Sequence, residues 1–313
     1  MEPRPSSVHA RLYDSQPTTF ADDGNVRPIR SLIKATSGDV VRPSVEGLSS
    51  GQQLHAETRS MYLRPDHAEH DVPTLRQLIH DTQLGLLITA FTPAEPSSGS
   101  SGSRIHTSHV PWVLEVEDPQ STTQLGSLKG HMARQNPQSK LLVELAARTT
   151  DGVIRSDEVA VIFTAPDHHY ISPSFYTETK PKTGKVVPTW NYASVAAYGN
   201  IRVYAEGDPL KSAYLDEQFD TLTRESEALH GPHASDGKRA WEVSDAPAPY
   251  INVLKRAVIG VTIEVTRLEG KWKMSQESSE GDRDGVVRGL TNLGTESARN
   301  VAETVKSRGC PRT

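Results

Sequence analysis

The chain has a single cysteine, Cys310, in 313 residues. That excludes an intrachain disulfide and leaves no set of thiolates for a zinc site, which fits a reducing compartment. Long apolar runs are missing too: none approaches the roughly 20 residues that a membrane-spanning helix needs. Near the N-terminus Arg4, Arg11, Arg27 and Arg30 have the flavour of a transit peptide, but Glu2, Asp14, Asp22 and Asp23 oppose it, and no hydrophobic signal core is visible. The expectation is a cytoplasmic protein, with the nucleus left open. A net charge of -5 gives no global attraction to nucleic acid or anionic lipid. Phosphate-binding loops, GxGxxG turns and GxSxG elbows are absent, and no helix-turn-helix is legible. Aromatic residues make up 6% of the chain and hydrophobic residues 35%, which is low for a compact globule, so part of the chain is expected to lie outside the core.

What is present begins in earnest at Met61. Residues 1–60 are rich in Pro, Ser, Gly and Arg without sustained periodicity and read as a disordered extension. From Met61 the text is patterned. Leu75, Leu78 and Ile79 predict a helix over 72–81, with Asp71 as its N-cap. Strands are expected over 84–91, 108–116, 124–132, 158–165 and 195–204, with Gly199 marking a bulge or a close backbone approach. Helices are expected over 137–147, 208–230, 247–256 and 282–290, and alternating Ile259, Val261, Ile263 and Val265 place a strand over 257–268. The stretch 93–102 reads as a loop, and 292–313 as an unstructured tail. Short strands with helices inserted between them predict a mainly β fold, a barrel decorated by helices, as one domain over 61–291.

Three segments carry more polar and aromatic residues than a plain barrel requires. In GSLKGHMARQNP (126–137) a strand leads into a helix, and Lys129, His131 and Arg134 cluster there. Cations and backbone N–H groups at a helix start suit a phosphate, although a solvated strand end would look the same. In YISPSFY (170–176) hydroxyls at alternate positions of an extended segment face one side, so Ser172 and Ser174 can bind one ligand or satisfy a local turn. In GKVVPTWNY (184–192) Lys185, Thr189, Trp190 and Asn191 combine a cation, a hydroxyl, a flat ring and an amide that both donates and accepts. A core tryptophan is the alternative there. LEGKWKMSQ (268–276) has a similar character. The histidines at 168, 169, 230 and 233 have no supporting Cys or carboxylate spacing and read as exposed loop residues.

These segments, in this order, resemble the PaiB family, proteins described as FMN-binding negative transcriptional regulators. The matching text includes Met61-Tyr62, Leu84 to Leu87, His109-Val110-Pro111, GHMARQNPQ, YISPSFY, GKVVPTWNY, Trp241 to Asp245 and LEGKWKMSQ. The resemblance implies an FMN-binding split β-barrel like those of flavin reductases and pyridoxamine-phosphate oxidases, working as a homodimer through the barrel with FMN between subunits. By position it implies that Lys129, His131, Arg134, Ser172 and Ser174 hold the phosphate and ribityl region. Lys185, Thr189, Trp190 and Asn191 would lie near the ring, and Trp272 and Lys273 would come from the second subunit. The Ser97 to Ser103 insert and the N-terminal extension depart from the pattern.

The implied activity is that of a flavoprotein, either an FMN-dependent oxidoreductase or a redox-linked regulator acting indirectly on transcription. Its small-molecule or redox partner is not legible, and no residue is assigned a catalytic role. The alternatives are a haem-binding or haem-degrading split barrel, as in the HugZ relatives, and a direct transcriptional repressor; the acidic balance argues against the latter. The change of composition at Met61 also leads to the expectation that translation starts there. Mass spectrometry of the natural protein should then find no peptide from residues 1–60, and one such peptide ends that idea.

Overall fold

The computed structural model describes residues 61–91, 103–231 and 239–309. The expectations for residues 1–60 and for the Ser/Gly stretch up to 102 lie outside the described residues. The elements run β1 (Ala68–Glu69), α1 (Val72–Asp81), β2 (Leu84–Thr89), β3 (His106–Pro111), β4 (Val113–Glu115), β5 (Ser127–Ala133), α2 (Pro137–Ala146) and β6 (Val153–Thr164). There follow β7 (His169–Ile171), α3 (Thr179–Thr183), β8 (Thr189–Tyr204), α4 (Lys211–His230), α5 (Ala248–Ala257), β9 (Val258–Lys273), α6 (Glu280–Asn292) and α7 (Glu296–Arg308).

Local chemistry explains the early helices. The Asp71 carboxylate accepts from the Thr74 amide, and Leu75, Leu78 and Ile79 form the buried stripe of α1. Asn136 caps α2 in the same way through the Gln138 amide, with Pro137 in the first turn, where its missing N–H costs nothing. Both helices lie where the spacing predicts them.

The sheet is antiparallel, in the order β3-β2-β6-β8-β9-β5-β4, with β1 on β9 and β7 on β8. Its two edges, β3 and β4, are halves of one segment broken at Trp112. The sheet therefore has to curl back on itself into a barrel, because adjacent residues occupy its opposite edges. Trp112 is buried at the break, and its amide donates to the Gln83 carbonyl at 2.8 Å. Among the described residues no pairing joins β3 to β5, so the closure is split rather than fully hydrogen-bonded. Leu87, Leu128, Val161, Phe163, Val195, Ile201, Val261 and Ile263 fill the interior. Each contributes roughly 1.5–3 kcal/mol by leaving water.

Three differences from the sequence reading have physical causes. β6, β8 and β9 are longer than expected, because polar residues such as Arg155 to Glu158 and Glu269 to Lys273 interrupt the apolar pattern without interrupting the ladder. In β6 the register shifts between Ile154 and Val159. Helix α4 starts at Lys211 rather than at Asp208. The region read as an unstructured tail is corrected most: residues Glu296–Arg308 form α7, capped by Thr295 on the Ala298 amide, with Ala298, Val301, Ala302 and Val305 buried. Small and β-branched residues among many charges hid a stripe at i, i+3, i+4 and i+7. Among the described residues no helix is long and apolar enough to cross a membrane.

Gly199 is a close-approach point, as the sequence predicts. The β8–β9 register skips between Tyr198 and Gly199, and a Cβ on Gly199 would lie 2.0 Å from the Glu264 carbonyl oxygen. Gly199→Ala should destabilise the protein by roughly 1–3 kcal/mol, the cost of overpacking a closed interior. Urea unfolding should show this as a lower midpoint with an unchanged slope.

Candidate functional site

β7 pairs with the first residues of β8, placing Tyr170 opposite Trp190 and Ile171 opposite Thr189. Because side chains alternate along a strand, Trp190 points away from the interior that Asn191 faces. Trp190 is 53% exposed and Tyr170 42%, with their ring centroids 6.0 Å apart edge to face. The His168 ring centroid also lies 6.0 Å from that of Trp190, tilted against it. The Lys273 ammonium donates to the Thr189 hydroxyl at 2.6 Å and to the Trp190 carbonyl at 3.0 Å. Burial, reinforced by Lys271 and Arg64, pulls its pKa below the ordinary value against the opposing pull of Glu277. Ser172 follows Ile171 directly, and its hydroxyl lies 2.8 Å from that of Ser174. Exposed Lys185 lies in the connection that leads into β8. One end of β8 and β9 thus gathers Ser172, Ser174, Thr189, Trp190 and Lys273.

The serines converge by a different route from the expected one. Pro173–Phe175 is a 3-10 turn capped by Ser172, not an extended run. Two expectations are corrected, that of Asn191 near the ring and that of Trp272 reaching in from the second subunit. Asn191 is fully buried; its amide donates to the Ser275 hydroxyl at 3.0 Å and its carbonyl accepts from it at 3.3 Å. It therefore ties β8 to the end of β9 and presents nothing to a ligand. Ser275 takes a left-handed backbone, φ 61°, at a cost of about 1–2 kcal/mol. Trp272 is buried within its own chain, opposite Ala193 and beneath the Arg308 guanidinium at 4.7 Å. Trp272 thus packs as a core residue of its own chain, whereas Trp190, for which a core position was the alternative, is exposed.

The cationic segment lies elsewhere. Leu128 and Met132 face the core, which turns Lys129 and His131 toward α4. The Lys129 ammonium sits 2.8 Å from Glu115 and 3.0 Å from Glu217. Burial lowers its pKa, but the two carboxylates outweigh that and raise it. His131 packs edge-on against Phe219 at 4.9 Å, and its Nδ1 is buried without a hydrogen-bond partner. Burial lowers its pKa, so the ring is held neutral. Neither residue is poised for a phosphate as the sequence suggested: one charge is already matched and the other suppressed. Arg134 is exposed at the end of β5, where its amide donates to the Ala257 carbonyl at 2.9 Å. His131 pairs with Gly260 and Lys273 ends β9, so on the order of 40 Å of strand separates the two groups within one chain.

Sequence reasoning missed Glu277 and gave His168 no role. The Glu277 carboxylate takes the buried His67 ring at 2.9 Å and lies 3.9 Å from Lys273. Burial raises its pKa, but the His67 bond and Lys273 outweigh that and lower it. Glu277 and His67 are 210 residues apart, so no local spacing announces the pair. Among the described residues no group of three or more His, Cys, Asp or Glu is placed to hold a metal ion.

An antiparallel split barrel, with helices inserted between its strands and an exposed aromatic and cationic surface at one end, is the class of protein defined here. The sequence over residues 61–267 matches the family described as "Putative FMN-binding domain", and the chain belongs to that family. It is 46% identical over 256 residues to an uncharacterized protein of Emericella nidulans, covering 80% of this chain and 98% of that protein. It is 29% identical over 181 residues to the protein named "Protease synthase and sporulation protein PAI 2" of Bacillus subtilis, covering 58% of this chain and 72% of that one. That relative is of the PaiB type, in agreement with the motifs. Among solved structures, the flavocytochrome Anf3 from Azotobacter vinelandii is similar at 10% identity and a TM-score of 0.35, over 66% of this chain and 69% of that chain. A pyridoxamine 5'-phosphate oxidase-related, FMN binding protein from Nostoc punctiforme is similar at 10% identity and a TM-score of 0.30, over 67% of this chain and 86% of that chain.

The buried His131 gives a pH signature. Its folded pKa lies below the ordinary 6.5, so the unfolded chain binds more protons between the two values. Stability therefore falls as pH is lowered through 6.5 toward the depressed value, and is fully retained above 6.5. His131→Phe should flatten this part of the curve in denaturant titrations run from pH 7.5 to 5, and a slope identical to wild type would contradict the assignment.

Proposed function

We propose that the protein binds FMN on the surface formed by Trp190, Tyr170 and Lys273, and that two copies complete the site. The observation that carries this reading is the exposure of two neighbouring aromatic rings, 53% and 42%, beside a partly buried ammonium. Water is a poor neighbour for such rings, and a contiguous exposed apolar surface with polar groups at its rim is the usual mark of a binding site. A flavin ring fits that chemistry, with a flat face for Trp190 and carbonyl and ring nitrogen acceptors for Lys273. Ser172, Ser174 and Lys185 are the nearby groups that would bind the ribityl hydroxyls and phosphate. The family to which the chain belongs favours FMN over haem as the occupant.

Arg134 sits beside Ala257 at the start of β9, whereas Trp190 sits beside Lys273 at its end, so the two mark opposite ends of that strand. A homodimer that sets the Arg134 end of one copy against the Trp190 end of the other resolves this separation. When bound, FMN supplies hydride and electron transfer, while the protein supplies binding, orientation and electrostatics. The activity proposed is that of an FMN-dependent oxidoreductase or a redox-linked regulator acting indirectly on transcription. The net charge of -5 argues against direct reading of a DNA duplex.

Purified full-length protein should be yellow or take up added FMN at one per subunit, and should elute as a dimer in light scattering. Trp190→Ala should weaken FMN by roughly tenfold, the worth of one stacked aromatic contact. A colourless protein that ignores added FMN overturns the proposal.

A further inference from the structure

The helical hairpin α6–α7 lies beyond residues 61–267, the span that matches the family, yet it touches the segments that flank the proposed flavin surface. On α6, Gly281, Gly285 and Gly289 recur every four residues and so form one face. A Cβ on Gly285 would lie 2.0 Å from the Phe175 carbonyl oxygen, and one on Gly289 would lie 2.3 Å from the Phe175 ring. The turn that carries Ser172 and Ser174 is therefore seated directly on the helix backbone, and larger residues at these positions would lift it off.

Polar contacts lock the same segment. The Thr177 hydroxyl donates to the Gly281 carbonyl at 2.7 Å. The Asp282 carboxylate, 3% exposed, accepts from the Glu178 amide at 2.8 Å and from the Thr179 amide at 3.1 Å. It thereby satisfies amides at the start of α3 that the five-residue helix cannot satisfy itself. The Ser279 hydroxyl donates to the Glu178 carboxylate at 2.6 Å. From α7, Asn300 donates to the Asp167 carboxylate at 2.9 Å, just before His168, and Arg308 pairs with Glu69 while lying over Trp272.

We infer that the α6–α7 hairpin is the clamp that holds the 167–188 wall of the flavin surface in its binding geometry, with Asp282 as the positioning residue. Asp282 acts through the start of α3, which determines where Lys185 and then Thr189 and Trp190 emerge. The inference rests on the flavin reading for its ligand, but not for its mechanical half. A wall that samples open states would weaken binding by the fraction of time it is misplaced, without losing any ligand contact.

The test compares the wild-type full chain with Asp282→Ala and Asp282→Asn. Amide exchange of residues 172–183 and the rate of tryptic cleavage after Lys182 and Lys185 are measured, together with FMN affinity by fluorescence quenching. Asp282→Ala should speed exchange and cleavage there by about tenfold, the effect of losing two amide bonds to a buried carboxylate, while β8 and β9 amides stay protected. FMN should bind about five- to tenfold more weakly to it. Asp282→Asn, which keeps one acceptor oxygen, should recover most of both effects. Unchanged exchange and cleavage in Asp282→Ala overturns the clamp whatever FMN does. Faster exchange with wild-type FMN affinity overturns the link from clamp to ligand. Wild-type protein that takes up no FMN refutes the flavin reading instead, and the exchange and cleavage rates then decide the clamp alone.

Discussion

The pairing of β8 with β9 is the constraint on which the rest of the molecule depends. Both strands are sixteen residues long, and their ladder runs from Tyr192 opposite Lys273 to Tyr204 opposite Gly260. Every other strand of the sheet, apart from β2, β3 and β4, pairs with one of these two. The ladder tolerates one irregularity, at Gly199, where the backbones approach so closely that no side chain fits. That skip re-phases which residues face inward, so the same strand fills the core at both ends.

The ladder also decides where charge is quiet and where it is available. At one end, Lys129 is held between two carboxylates and His131 is kept neutral under α4. That polar layer is closed, because its charges are matched internally and its unpaired atoms are out of water's reach. At the other end, Lys273 is held mainly by a hydroxyl and a carbonyl, with its nearest carboxylate in Glu277 at 3.9 Å. Neutral acceptors leave more of its positive charge uncompensated than a close ion pair would. The exposed rings lie at this end too. The available charge and the exposed rings are thus concentrated on one end of the barrel by the way its charges pair.

The barrel and its periphery divide the labour. Residues 61–267, the part that matches the family, form most of the barrel and supply Trp190, Tyr170 and the serines. Lys273, Glu277 and the α6–α7 hairpin come after it. The surface is therefore assembled from a sheet whose geometry is set by hydrogen-bonded register and from a hairpin whose geometry is set by close helix packing. Phe175 is where the two meet, seated between the barrel and the glycine face of α6.

Much of this was legible in the residues. Apolar alternation marks β9, Asp71 announces a helix start, and Gly199 signals a bulge, because these features depend on neighbours in sequence. The motifs of residues 126–137, 170–176, 184–192 and 268–276 identify the family for the same reason. Only the tertiary structure decided which motif residues share a surface. Trp190 and Asn191 are adjacent in sequence yet face opposite sides of a strand, and Trp272 looks like a ligand residue until Arg308 and Ala193 enclose it. Lys129 reads as a free cation because Glu217 lies 88 residues away. The α7 helix went unseen because its stripe of small residues is stable only once it is packed on α6. Local patterns specify elements; exposure, charge pairing and convergence depend on contacts between residues far apart in the chain, and those exist only in the folded protein.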